Sequence, residues 1–181
     1  VIANNPLMIR STKITEVDKD YPDIVQYLEV AKGEYGYKGV LVCNDSGVIT
    51  VGTAGEAVGA DVSQMDYFKQ AIQGNTSASN MIPSEIPLTN ELGEKELGLP
   101  TMFVSTPLKD RDGVVIGIVA IRVDVNALND LMLSLNLGKT GETYLVNKDG
   151  FMLTESRFAA HLKEMGRVKK RCALRLKLVN A

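Results

Sequence analysis

Arg122 is the residue whose type and setting most nearly demand a chemical partner. It stands next to last in the run Val114–Val123, VVIGIVAIRV, which is otherwise apolar on both alternating faces, so this strand is expected to be covered from both sides. A guanidinium stays charged and carries five N–H donors; on a covered strand it needs an anion or a route to water. Two readings stay open: an ion pair with a neighbouring carboxylate such as Asp124 or Asp66, or a salt link to the carboxylate of a bound ligand.

The other reactive residue types point away from catalysis. His161 is the single histidine, which excludes a multi-histidine metal site, and the carboxylates show no metal-ligand spacing. Asp45, Asp112 and Asp149 each sit near a turn glycine and read as turn formers rather than an acid triad. No G-x-S-x-G elbow, P-loop or dinucleotide fingerprint is present, so a non-enzymatic chain with no cofactor is expected. Cys43 and Cys172 are too few for a disulfide framework or a metal site.

The 181 residues give room for one ordinary domain, or one and a fragment, with 45% apolar and 23% charged residues. A formal net charge of -2 offers no basic footprint for nucleic acid. The local exception is Arg167–Lys177, RVKKRCALRLK, which reads as a solvated strand edge or as a contact for phosphates or lipid headgroups. The longest apolar run, Val114–Ile121, is far shorter than the roughly 20 residues that cross a bilayer. The abrupt start at Val1 suggests a piece of a longer protein, whose flanking parts, any membrane span included, lie outside it.

The elements that must position Arg122 are legible along the chain. Asn5-Pro6 predicts a helix from Pro6 to about Val17. Pro22 predicts a second one, with Ile24, Leu28 and Ala31 on one face and Gly33 and Gly36 at its end. Gly39–Thr53 reads as strand, turn, strand. Ser63 and Asp66 resemble a capping box for a helix over Gln64–Gln73, with Phe68, Ala71 and Ile72 inward. Ser77–Ile82 predicts a weak strand. Pro83–Pro100, polar and rich in proline and acids, reads as a disordered connection or a lid, with the lid favoured. Thr101–Leu108 and Val114–Val123 form a hairpin, and Leu128, Leu131, Met132 and Leu135 predict an amphipathic helix over Val125–Leu137. Leu145-Val146, a turn to Gly150 and FMLT then repeat Leu41-Val42, a turn to Gly47 and VIT, with one residue fewer in the turn. This reads as the opening of a second copy of the same unit.

Taken in order, the leading helical segment, GVLVCNDSGVITVGT, DVSQMDYFKQAIQG, FVSTPLKDRDGVVIGIVAIRVDVNAL and LGKTGETYLVNKDGFMLT resemble the double Cache sensor domains, up to about Arg157. These are extracytoplasmic PAS-like modules of bacterial and archaeal histidine kinases and chemoreceptors. The resemblance implies an α+β fold, a PAS-like antiparallel sheet flanked by helices with a long N-terminal helical segment. It divides the chain into that segment (1–38), a membrane-distal lobe (39–137) and a partial membrane-proximal lobe (138–181). It also implies a parent protein anchored through flanking spans, with either a monomer or a homodimer open.

Amino-acid-binding members of that family carry an arginine two residues before the aromatic pair and an aspartate in the last strand. Here Met65 and Arg122 stand at those positions, so the charge pattern is absent at one and reversed at the other. The expected ligand is therefore a small anion, such as a short organic acid. Arg122 is its anchor, Tyr67 and Phe68 an aromatic wall, and Ser105 and Ser79 hydroxyl donors near Phe103, with Met65 close by. The competing reading is a structural or dimerisation module with no small-molecule ligand, its pocket filled by Met65, Met81 and Met102.

Overall fold

The computed structural model describes residues 5–53, 57–84, 86–90, 93–135 and 138–178. The chain forms two compact units, one made of Val1–Asn80 with Met102–Val123, the other of Met81–Thr101 with Asp124–Ala181. The leading helices thus share a unit with the first sheet, and the 81–101 insertion belongs with the C-terminal part.

The first unit is built on a five-stranded antiparallel sheet of order β2-β1-β9-β8-β3. Its strands are β1 (Gly39–Asn44), β2 (Ile49–Gly52), β3 (Ser77–Ala78), β8 (Phe103–Lys109) and β9 (Val115–Arg122). Three helices flank it, α1 (Pro6–Ser11), α2 (Tyr21–Tyr35) and α3 (Asp66–Ile72). Gly117, Ile118, Val119 and Ala120 are all buried, as expected for a strand covered on both faces. On one side Val119, Val40, Val42 and Val51 join Met8, Ile24, Leu28 and Ala31 of α1 and α2 in a single core. Thr12, which caps α1, lies so close that a Cβ on Gly117 would stand 2.8 Å from its methyl. The other side carries α3, whose Tyr67, Phe68 and Ala71 are buried.

Three tight turns have one construction. Asn44, Asp110 and Asn147 each stand three residues before a glycine, Gly47, Gly113 and Gly150, that adopts positive φ. Each side-chain oxygen accepts two backbone N–H bonds across its turn, from Ser46 and Val48, from Asp112 and Val114, and from Asp149 and Phe151. The turn-making oxygens are therefore these three; Asp45, Asp112 and Asp149 follow them. The Asn147 turn has the same length as the Asn44 turn, so Leu145-Val146 corresponds to Val42-Cys43. The turn's construction recurs, without the missing residue.

Several expectations need correction. α1 stops at Ser11, not Val17: the Ser11 and Thr12 hydroxyls turn back to the Met8 and Ile9 carbonyls at 2.7 and 2.9 Å, and Val17 is 94% exposed. α2 runs through Gly33 and ends at Gly36 in the left-handed conformation. No capping box forms at α3, where Met65 is the N-cap and the Ser63 N–H goes to Asp61. The strand expected over Ser77–Ile82 breaks into β3 and a separate β4 (Ile82–Pro83).

In the second unit the 81–101 insertion is neither structureless nor a single loop. β4 (Ile82–Pro83) pairs with β7 (Pro100–Thr101), and β5 (Leu88–Thr89) with β6 (Lys95–Glu96). Glu85 and Glu91 lie outside the described residues, as does the expected helix end at Leu137. Helix α4 (Asn126–Ser134) follows, its Asn126 N–H held by Asp124, but it buries no residue: Leu131 is 54% exposed. After α5 (Ala159–Glu164) a small core of Met152, Val168 and Cys172 closes the unit.

Both thiols are inert by placement. Burial pushes Cys43 from its ordinary 9.0 up to about 12, and Cys172 is also raised, first by burial. Neither should react with a thiol reagent at neutral pH until denaturant is added, and both should then react. For Cys43 the raised value favours the folded state below pH 9, and this contribution is lost as pH rises towards 12. Rapid labelling of the native protein would contradict this burial.

Candidate functional site

On the α3 face of the sheet, three of the expected site residues, Arg122, Phe103 and Ser105, stand in two rows of paired positions. Gly39, Arg122 and Phe103 are direct neighbours across β1, β9 and β8. One step along, Leu41, Ala120, Ser105 and Ser77 form the next row. Side chains at paired positions share a face, so all of these point toward α3.

Arg122 sits at the strand end and is half-buried. Its Nη2 donates to the Lys38 carbonyl. A Cβ on Gly39 would lie 3.4 Å from Arg122 Nε, so the guanidinium is laid over the glycine. On the other side of Arg122 the Phe103 ring stacks on Tyr67, centroids 4.7 Å apart and planes inclined by 27°. Tyr67 is 3% exposed, and Phe68, also buried, is a core residue of α3.

The hydroxyls fall elsewhere than expected. Ser105 is 1% exposed and donates to the Tyr67 carbonyl at 2.8 Å, which ties α3 to β8. Ser79 Oγ donates to the Asn80 carbonyl and accepts the Phe103 N–H, so it serves its own backbone. Met65 caps α3 at its N-terminus. Sequence reasoning missed Ser77. Its Oγ is buried without a hydrogen-bond partner, directly across from Ser105. Lys38 and Gly39 were also missed; only the pairing register reveals that a glycine and a carbonyl receive the guanidinium.

These groups do not converge on one point. The guanidinium overlies β1, whereas Ser77 is on β3, three strand spacings or about 14 Å away. Arg122, with Phe103 beside it, and Ser77 are therefore separate features of this face. Among the described residues no group of His, Cys, Asp and Glu could hold a metal ion.

No family model matches this sequence, and no curated protein is similar to it. Solved structures are similar in fold. The V. cholerae histidine kinase DctB sensor domain matches with a TM-score of 0.61 at 11% identity, over 96% of this chain and 66% of that one. The ligand-binding domain of the Campylobacter jejuni chemoreceptor Tlp3, solved with 4-methylisoleucine, matches with 0.59 at 15% identity, over 89% and 58%. The E. coli DcuS sensor domain matches with 0.55 at 15% identity, over 74% and 87%. The chain thus has the fold of the Cache-type extracytoplasmic sensor domains of histidine kinases and chemoreceptors. It spans two thirds or less of the length of the DctB and Tlp3 structures. Among the described residues no helix is long and apolar enough to cross a membrane.

Proposed function

We propose that this chain is the extracytoplasmic ligand-sensing part of a membrane-anchored histidine kinase or chemoreceptor, without catalytic activity of its own. The unit with the five-stranded sheet is the membrane-distal, ligand-binding lobe, and its ligand is a small anionic metabolite. The observation that carries this reading is the Gly39–Arg122–Phe103 row: a guanidinium laid over a glycine, beside an aromatic stack, on the sheet face that carries α3. Such a row offers a carboxylate a charged fork at one end and an apolar wall at the other.

A ligand shifts a two-state sensor only by its differential affinity for the two states, so binding must register as stabilisation of one of them. The test is a thermal-shift screen of the purified chain over organic acids, amino acids and amines. At about 100 times its Kd a ligand adds about 2.7 kcal/mol, equivalent to several degrees in a lobe of this size. Carboxylates are expected to raise Tm and amines to leave it unchanged. A flat response throughout would favour the structural or dimerisation module. The burial of Tyr67, Phe68 and Ser105 is what speaks for that alternative.

A further inference from the structure

The strongest charge segregation in the chain lies outside this site. Arg167–Lys177 holds six of the 20 lysines and arginines and none of the 22 acids, so the rest of the chain carries a net charge of -8 against -2 for the whole. The fold sorts this segment by polarity. Val168, Cys172 and Ala173 are buried, while Arg167, Lys169, Lys170, Arg175 and Lys177 are exposed. Glu96 takes up part of the charge, with Arg171 at 3.0 Å and Lys170 at 3.6 Å.

A second observation concerns what projects among these cations. Met165 is 56% exposed. It occupies a turn closed by bonds from the Met165, Gly166 and Arg167 N–H groups to the His161, Lys163 and Leu162 carbonyls, with Gly166 at φ +70. An apolar side chain is thus held out of the unit by a hydrogen-bonded turn, between exposed Lys163 and exposed Arg167. The nearest acid in sequence, Glu164, faces His161 at 3.6 Å.

A protruding apolar side chain flanked in the chain by exposed cations matches a bilayer surface, where phosphate headgroups lie above an apolar layer. A free phosphate or a nucleic-acid backbone would use the cations and leave the methionine in water. We propose that the turn Lys163–Lys170, with the basic run that follows it, is a contact site for an anionic phospholipid surface. This does not depend on the ligand reading.

The test is co-sedimentation of the full chain with vesicles of phosphatidylcholine alone and of phosphatidylcholine mixed with phosphatidylglycerol. Binding is expected only to the mixed vesicles, and it should fall as salt rises from about 0.1 M to about 0.5 M, because the screening length shrinks. Each cation near such a surface contributes roughly fivefold, so Arg167→Gln with Lys169→Gln should lower the partition constant on the order of twentyfold. Met165→Ser should weaken binding while leaving its salt dependence unchanged. All three substitutions are at exposed positions, and an unchanged Tm confirms folding. Equal sedimentation with both vesicles, indifference to Met165→Ser, or displacement by inorganic phosphate at constant ionic strength would each overturn the proposal.

Discussion

Replacing Gly117 by alanine is expected to destabilise the first unit by about 3 kcal/mol or more, the upper end of what overpacking costs. Gly117 is buried on β9, paired with Asn44 of β1 and Leu108 of β8. An added Cβ would lie 2.2 Å from the Cys43 carbonyl oxygen and 2.8 Å from Thr12 Cγ2. Neither neighbour can yield cheaply. The carbonyl belongs to a central strand, and Thr12, 1% exposed, follows Ser11, whose carbonyl accepts the Thr50 hydroxyl at 2.6 Å. The helix–sheet approach must open, which exposes the core of Met8, Val42 and Val119. Small domains have about 5–15 kcal/mol in all, so much of the margin would go. The check is urea unfolding, read as a lower midpoint, with Gly33→Ala as a control of opposite sign. Gly33 lies inside α2 with nothing within 4 Å of its Cβ position, and alanine there should stabilise by roughly 0.5–1 kcal/mol. A Gly117→Ala midpoint near wild type would mean that the helical layer does not rest on β9.

How much of this was legible in the sequence depends on whether a feature is local. The hairpins were readable because polar residues and a glycine mark each turn, although the oxygens that close them belong to Asn44, Asp110 and Asn147 rather than to Asp45, Asp112 and Asp149. The both-sided burial of β9 followed from its unbroken apolar run. The Leu128, Leu131 and Leu135 spacing does form a helix, α4, but an apolar stripe does not say whether anything covers it, and α4 buries nothing among its described residues. α1 ended early because two adjacent hydroxyls competed for its carbonyls, a local effect outweighed in the reading by Asn5-Pro6.

The candidate site was the least legible part. Arg122 could be singled out by type and position, but what lies beneath it could not, since Gly39 is its neighbour only through the pairing of β1 with β9. Ser79 and Ser77 differ by one strand period and point the same way on paper. Ser79 bonds β8 through its own N–H to the Phe103 carbonyl and its hydroxyl takes the Phe103 N–H, whereas Ser77 lies across from Ser105. Register across distant segments decides such cases, and a single sequence does not print it.

Arg122→Ala is expected to abolish the stabilisation that carboxylates confer. The guanidinium is half-buried at the end of β9, and its bond to the Lys38 carbonyl is worth about 1 kcal/mol net, so the variant's own Tm is the baseline for each ligand shift. A ligand carboxylate held by that fork would lose about 2–3 kcal/mol on truncation, a drop in affinity of about 30- to 150-fold. Arg122→Lys separates charge from shape. A lysine keeps the positive charge but not the planar pair of donors, so binding should be intermediate and more sensitive to salt. Gly39→Ala is the complementary variant. Its Cβ would stand 3.4 Å from Nε and 3.7 Å from Arg122 Cβ, at the edge of ordinary contact, and should weaken the ligand far less than Arg122→Ala does. Calorimetry on the three variants, with a carboxylate found by the thermal screen and its amide counterpart, reads all of this at once. The amide should bind wild type and Arg122→Ala equally. A carboxylate that stabilises Arg122→Ala as much as wild type would move the anion site off this row and onto another part of the unit.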